Sequence, residues 1–324
     1  MEIRAEHITI AITVFNRRDY VLEAVRSALD QTVPVKVIVV EDCGPDPGLR
    51  DFIMSKFGDR IEYFRNQQNR GLFDNWNACM EYCHTTWFSI LHDDDLLLPN
   101  FIEDLLALAK AAPDRALYFG QINRLKPDGT IHPPGRIDWN GWRDLGTGEG
   151  FNQLIDESIL GFSGHLISIA HACNVGRFRK NSWYTGDWDM WFRLALTCGA
   201  AQTEKVVAVG RCHDSWDRAT TRIVRKGWKW LLDNVQRKRN LARLKTERGE
   251  DRSFERSLPQ VRHPIPLRLM VAAGSGFHRR VLVYNWWLFV HSQPPHWRYA
   301  GLQWLLRLLG PRVLIILAGF KRRP

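Results

Sequence analysis

The 324-residue sequence predicts an α/β fold with a mainly parallel central sheet flanked by helices. Three observations predict it. Short β-branched runs alternate with segments of helical spacing through the first hundred residues, the pattern of βαβ units. Polar or acidic clusters stand just past three of those runs, where ligands bind beyond the carboxyl ends of parallel strands. No run reaches the eighteen or so apolar residues that a membrane span needs.

The elements follow in order. HITIAITVF (7–15) reads as the first strand, and DYVLEAVRSALDQ (19–31) as a helix with Asp19 at its N-cap. VKVIVVED (35–42) is a second, buried strand. PGLRDFIMSKF (47–57) is helical, with Pro47 near its start. IEYFRN (61–66) is a third strand, LFDNWNACMEYC (72–83) a helix and WFSIL (87–91) a fourth strand. Residues 99–111 form another helix. The stretch 117–217 is less regular. RIDWNGWRDLGTGEG (136–150) reads as loop, DWDMWFRLALTCG (187–199) as a helix closed by Gly199, and KVVAVGRCHD (205–214) as a strand running into a polar turn.

Composition narrows the class. Hydrophobic residues at 45% and charged residues at 25% describe a globular chain. The six cysteines (43, 79, 83, 173, 198, 212) form no CxxC pair, so free thiols in a reducing compartment are expected rather than zinc or disulfides. MEIRAEHITI lacks the apolar region of a signal peptide. Residues 1–217 hold 22 Lys/Arg and 30 Asp/Glu, whereas 218–324 hold 23 and 5. That asymmetry points the C-terminal part at something anionic.

The chemistry-bearing stretches sit at the strand ends. SILHDDDLLLPN (89–100) places Asp93, Asp94 and Asp95 side by side. Carboxylates this close must be solvated, paired or bound to a cation, and hard divalent cations prefer such oxygens. A solvated turn is the plain alternative; the place at the sheet's edge favours the ligand. Asp42, after the second strand, suits a contact to a base or ribose, although an Asx turn would satisfy it too. Gly71 precedes a helix whose N-terminus suits an anion. Asp187 and Asp189 open the late helix, where acids are favoured by the dipole; one of them could instead be a general base. Trp183, Trp188 and Trp191 could stack on a sugar ring or fill a core. His213 gains meaning only if the fold returns it to the carboxylates.

Taken together these stretches resemble the family 2 glycosyltransferases of the GT-A fold, over about two-thirds of the chain. ITVFNR is similar to the family's opening strand edge. VIVVEDCGPD is similar to its nucleotide segment, with Glu41 as first acid and Cys43–Gly44–Pro45 in the turn. NRGLFDNWNACM, LHDDDLLLP, TGDWDMWFRL and GRCHDSWDRAT match four further motifs in order, with Gly186 where Glu is common. The resemblance implies that Thr13, Phe15, Asn16, Arg17, Asp42, Gly71, Asn75, Asp93 and Asp94 serve the nucleotide sugar. It implies Asp95 and His213 for a divalent metal, Mn2+ or Mg2+, and Asp187 as catalytic base, with Asp189 and Arg193 supporting. The implied reaction is an inverting single displacement from a nucleoside diphosphate sugar to a glycan or lipid-linked acceptor of a surface polysaccharide.

The expected domains are a GT-A domain over 1–221, with a nucleotide-sugar half at about 1–116 and an acceptor half at about 117–221, and a basic, Trp-rich helical extension over 222–324. Arg, Lys and Trp without acids suit an anionic membrane surface. That suggests a cytoplasmic protein, peripheral at the inner face of the membrane. No nucleic-acid recognition motif is present. A nucleotide-sugar binding protein without catalysis, or a basic membrane-surface adaptor, are the competing readings.

Overall fold

Seven consecutive buried residues make β1 (Ile8–Val14) an interior strand. Its neighbours follow as the sequence predicts: α1 (Arg18–Leu29), β2 (Lys36–Glu41), α2 (Leu49–Phe57), β3 (Glu62–Arg65), α3 (Leu72–Tyr82) and β4 (Trp87–His92). Next come β5 (Leu96–Leu97), α4 (Phe101–Ala111), β6 (Leu117–Leu125), β7 (Ile131–His132), β8 (Trp142–Asp144) and β9 (His165–Ser168). The last are α5 (Ile169–Asn174), α6 (Gly186–Cys198) and β10 (Ala200–Arg211). This computed structural model describes residues 2–134, 139–145, 161–179 and 186–212, all within one compact unit. His213, Trp183, most of 136–150 and the whole of 222–324, with the membrane expectation attached to it, lie outside the described residues.

The strands form one sheet in the order β3-β2-β1-β4-β9-β6-β10-β5, with β7 beside β6 and β8 beside β10. The long pairings, β1 with β2 and β4, β2 with β3, and β6 with β10, are parallel. The antiparallel ones span only two or three residues each. The crossovers through α1 and α2 run one way along the sheet and the crossover through α3 returns. Right-handed connections therefore put α3 on the opposite face. Side chains agree. Val21, Val25, Leu49, Ile53, Phe101 and Leu105 share one core with Ile8, Ile10 and Ile12. On the other face Trp76 of α3 packs against Phe162 and Phe178, and Phe178 meets Trp191 of α6.

Two boundary expectations are corrected, one open alternative closes, and one strand was not foreseen. α1 begins at Arg18 with Arg17 at the N-cap, so Asp19 lies inside the first turn. The strand read at 205–214 starts at Ala200. Trp191 is 1% exposed and belongs to the aromatic core rather than to a sugar platform. β6 was hidden by an interior glycine, which ordinarily weakens a strand. Here a Cβ on Gly120 would stand 2.3 Å from the Val207 side chain on β10, so the glycine permits the close pairing. Gly199 does close α6, at φ 76°, and the six cysteines are free thiols. Among the described residues no helix is long and apolar enough to cross a membrane.

One buried group makes stability depend on pH. His165 is fully buried, with Nδ1 2.5 Å from the Phe162 carbonyl oxygen, while the Ile90 N–H donates to Nε2 at 3.3 Å. Only the neutral ring with its proton on Nδ1 satisfies both. Burial pushes its pKa down to about 3, against about 6.5 in an unfolded chain. The unfolded state thus binds more protons below pH ~6.5. The contribution is fully present above that pH and is lost as pH falls towards 3. The expected slope from this group is at most about 1.4 kcal/mol per pH unit. Denaturant unfolding at pH 7, 6 and 5 should show a shallower fall in His165→Gln than in wild type; equal slopes would remove the assignment.

Candidate active site

Because β2, β1 and β4 are adjacent and parallel, their carboxyl ends lie side by side. Three sets of predicted residues therefore share one edge: Asp42 after β2, Phe15 to Arg17 after β1, and the His92–Asp95 stretch that ends β4 and turns out of it. Thr13 is in register with His92. β5 follows Asp95 at once and pairs with β10, which brings the end of β10 to the same turn.

The three carboxylates are handled differently. Arg17 pairs with Asp94 and stands 3.7 Å from Asp93. Its place at the N-cap, with extended backbone, lets the side chain turn back over β4. Asp93 is pushed up to about 7, first by burial and then by the Asp94 charge, with Arg17 opposing. Asp95 is also raised, chiefly by burial. Its Oδ2 accepts from Ser163 Oγ at 2.5 Å and its Oδ1 from the Arg211 N–H at 2.9 Å. Arg211 Nε donates to the Asp94 carbonyl at 3.1 Å, and its guanidinium lies over the Tyr20 ring. His92, Asp94 and Asp95 offer ligand atoms that all lie within 4.8 Å of one another. Carboxylate oxygens of this number suit Mg2+ or Mn2+.

Asp42 anchors a second network. Its Oδ1 accepts from Asn66 Nδ2 at 2.9 Å and from the Arg70 N–H at 2.8 Å; its Oδ2 accepts from the Gly71 N–H at 2.9 Å. The N–H expected to meet a ligand anion thus meets the chain's own carboxylate, with Gly71 at φ 78°. Asn75, 5% exposed, accepts from Asn66 at 2.8 Å and stands behind Asp42. Phe15 is 39% exposed and Leu72, next to Gly71, 41% exposed. These leave apolar surface at the edge where Asp42 stands. The turn after β2 is built by Glu41, which is fully buried. It pairs with Arg65, accepts from Tyr63 Oη at 2.6 Å and accepts from the Gly44 N–H at 3.0 Å. Cys43 takes φ 50° and Gly44 lies against the Phe15 carbonyl.

Asp187 opens α6, and its Oδ1 accepts from the Trp188 N–H at 2.9 Å. A Cβ on Gly186 would stand 2.1 Å from the Phe73 ring of α3. The phenyl ring therefore occupies the place a Glu side chain would need. Asp189 and Arg193 are buried and paired at 2.8 Å, and Arg193 donates to the carbonyls of Val175 and Arg177. Asn77 of α3 grips Phe178 through both its N–H and its carbonyl. One helix, α3, thus touches the Asp42 network at its start and the start of α6 through Phe73. Sequence reasoning passed over Asn66, Ser163 and Arg211. Arg211 stood inside the quoted GRCHDSWDRAT motif, and Asn66 ends a strand as Asp42 does.

Fold and site define an α/β chain of GT-A type with acidic side chains gathered at one edge of its sheet. The family described as "Glycosyl transferase family 2" matches residues 9–179, more than half of the chain, and the chain belongs to it. An uncharacterized glycosyltransferase of Rickettsia felis is 26% identical over 218 residues, covering 64% of this chain and 34% of that protein. The succinoglycan biosynthesis protein ExoO of Rhizobium meliloti is 31% identical over 108 residues, covering 32% and 30%. The chain spans about a third of the length of the first curated relatives it matches. The crystal structure of S. aureus TarS 1–349 in complex with UDP-GlcNAc superposes with TM-score 0.60 at 14% identity, covering 78% of this chain and 70% of that one. That likeness shows the GT-A fold.

Proposed function

We propose that the chain is an inverting glycosyltransferase that moves a sugar from a nucleoside diphosphate donor to a hydroxyl of a surface-polysaccharide or lipid-linked glycan. One observation carries the reading. In a family 2 chain, Asp42, Arg17 and the His92–Asp95 turn stand at adjacent carboxyl ends of parallel strands. The TarS complex with UDP-GlcNAc supports a nucleotide-sugar donor, and the ExoO name supports a polysaccharide product.

The roles divide as follows. Phe15 and the Asp42 network receive the base and ribose end. Arg17 and Asp93 face the diphosphate end. His92, Asp94 and Asp95 would hold a divalent cation, Mn2+ or Mg2+, with His213 expected beside them. Arg17 pairs with Asp94 and stands 3.7 Å from Asp93, and carboxylates clustered this closely favour a bound divalent cation. A bound cation would offset charge on the departing diphosphate. Asp187 takes the proton from the acceptor hydroxyl as that oxygen attacks the anomeric carbon. The attack comes from the face opposite the leaving group, so a single displacement inverts the centre. Asp189 and Arg193 hold α6 in place for this task. The test is turnover. Wild type should release nucleoside diphosphate from one of a panel of donors with Mn2+ or Mg2+, and Asp187→Asn should not. Donor binding without release in wild type would make the chain a binding protein instead.

A further inference from the structure

We propose that the turn Gly161–His165 is a clasp that positions the cation ligands, with Ser163 orienting Asp95 and Phe162 orienting His92. This role depends on His92, Asp94 and Asp95 holding a divalent cation, as proposed for the site. Ser163 is 1% exposed, and its Oγ lies 2.5 Å from Asp95 Oδ2. Facing a carboxylate, the hydroxyl can only donate. With the Arg211 N–H on Oδ1, each carboxylate oxygen has one donor that fixes its orientation. The lone pairs left over are then aimed by the fold rather than by thermal rotation about χ2. Phe162 does the same for His92. The two rings lie 3.9 Å apart at 12°, a stacked contact that sets the imidazole plane and so the direction of its nitrogens.

The turn itself is locked. His165 Nδ1 holds the Phe162 carbonyl while the Ile90 N–H of β4 donates to Nε2. Gly164 takes φ 81°, and a Cβ there would stand 2.9 Å from Val207. A Cβ on Gly161 would stand 2.2 Å from Ile122. Glycines near both ends thus let the turn press onto β6 and β10, and the Gly120 N–H bonds the Gly164 carbonyl at 3.0 Å. Groups that orient metal ligands in this way typically change metal affinity 10–100-fold when lost.

The experiment is Mn2+ titration of the full chain, following free Mn2+ by electron paramagnetic resonance, beside the melting temperature without metal. Ser163→Ala should weaken Mn2+ binding about tenfold, and Phe162→Leu should weaken it as well. Phe162→Leu carries the test if Ser163→Ala does not fold. Variants that melt lower without metal but bind Mn2+ as wild type would reduce the turn to scaffolding and overturn the proposal. Wild type that binds no Mn2+ would overturn the metal reading of the site, and the clasp with it.

Discussion

Asp187→Asn is expected to lower kcat by about 10²–10⁴-fold while leaving the donor Kd nearly unchanged. The range is what a positioned general base contributes. Asn keeps the shape and the side-chain oxygen that accepts from the Trp188 N–H, so the first turn of α6 stays formed. What is lost is the basic lone pair and one negative charge at a helix start. The charge is worth about 0.3–1 kcal/mol of helix stability, so the melting temperature should barely move. Steady-state turnover with a good acceptor, beside titration of the donor, separates the two effects. A kcat within tenfold of wild type would assign the proton to another group. A large loss of donor affinity would mean that Asp187 shapes the donor site instead.

Gly44→Ala is expected to damage both stability and donor binding. An added Cβ would stand 1.6 Å from the Phe15 carbonyl oxygen and 2.8 Å from its carbon. These are backbone atoms, so no side chain can swing away. The end of β1 or the turn after β2 must shift, and the Gly44 N–H contact to the buried Glu41 goes with it. Overpacking of this kind costs about 1–3 kcal/mol, or roughly 2–12 °C in melting temperature for a domain of this size. Phe15 and Asp42 flank the turn, so nucleoside diphosphate affinity should fall as well. A variant that melts and binds as wild type would show that the turn accommodates a Cβ at Gly44 without disturbing the nucleotide edge.

The first half of the sheet was legible because its central strands β1, β2 and β4 are buried on both faces. β1 (ITIAITV) and β2 (KVIVVE) read as β-branched, mostly apolar runs, and the helices after them are short and well marked. The second half was not. β6 carries Gly120 and polar residues, and β8 and β9 are too short to signal themselves. Their pairing is fixed by contacts between distant segments, which no local pattern encodes. The site divides in the same way. Carboxylates at strand ends were visible, since Asp42 and Asp93–Asp95 follow clear strands. Their partners were not. Ser163 lies 68 residues from Asp95 and Arg211 lies 116 away. Gly186 looked like a departure from the family pattern. Its reason was the Phe73 ring, more than a hundred residues earlier in the chain.

The central claim is that the turn after β4 holds the divalent cation that serves a nucleoside diphosphate. Calorimetric titration of the best-bound of several nucleoside diphosphates, with and without Mn2+, tests it in wild type and Asp95→Ala. The account predicts that Mn2+ tightens binding to wild type and that this gain disappears in Asp95→Ala, while weak metal-free binding through Asp42 and Phe15 persists. An equal gain from Mn2+ in both proteins would contradict it.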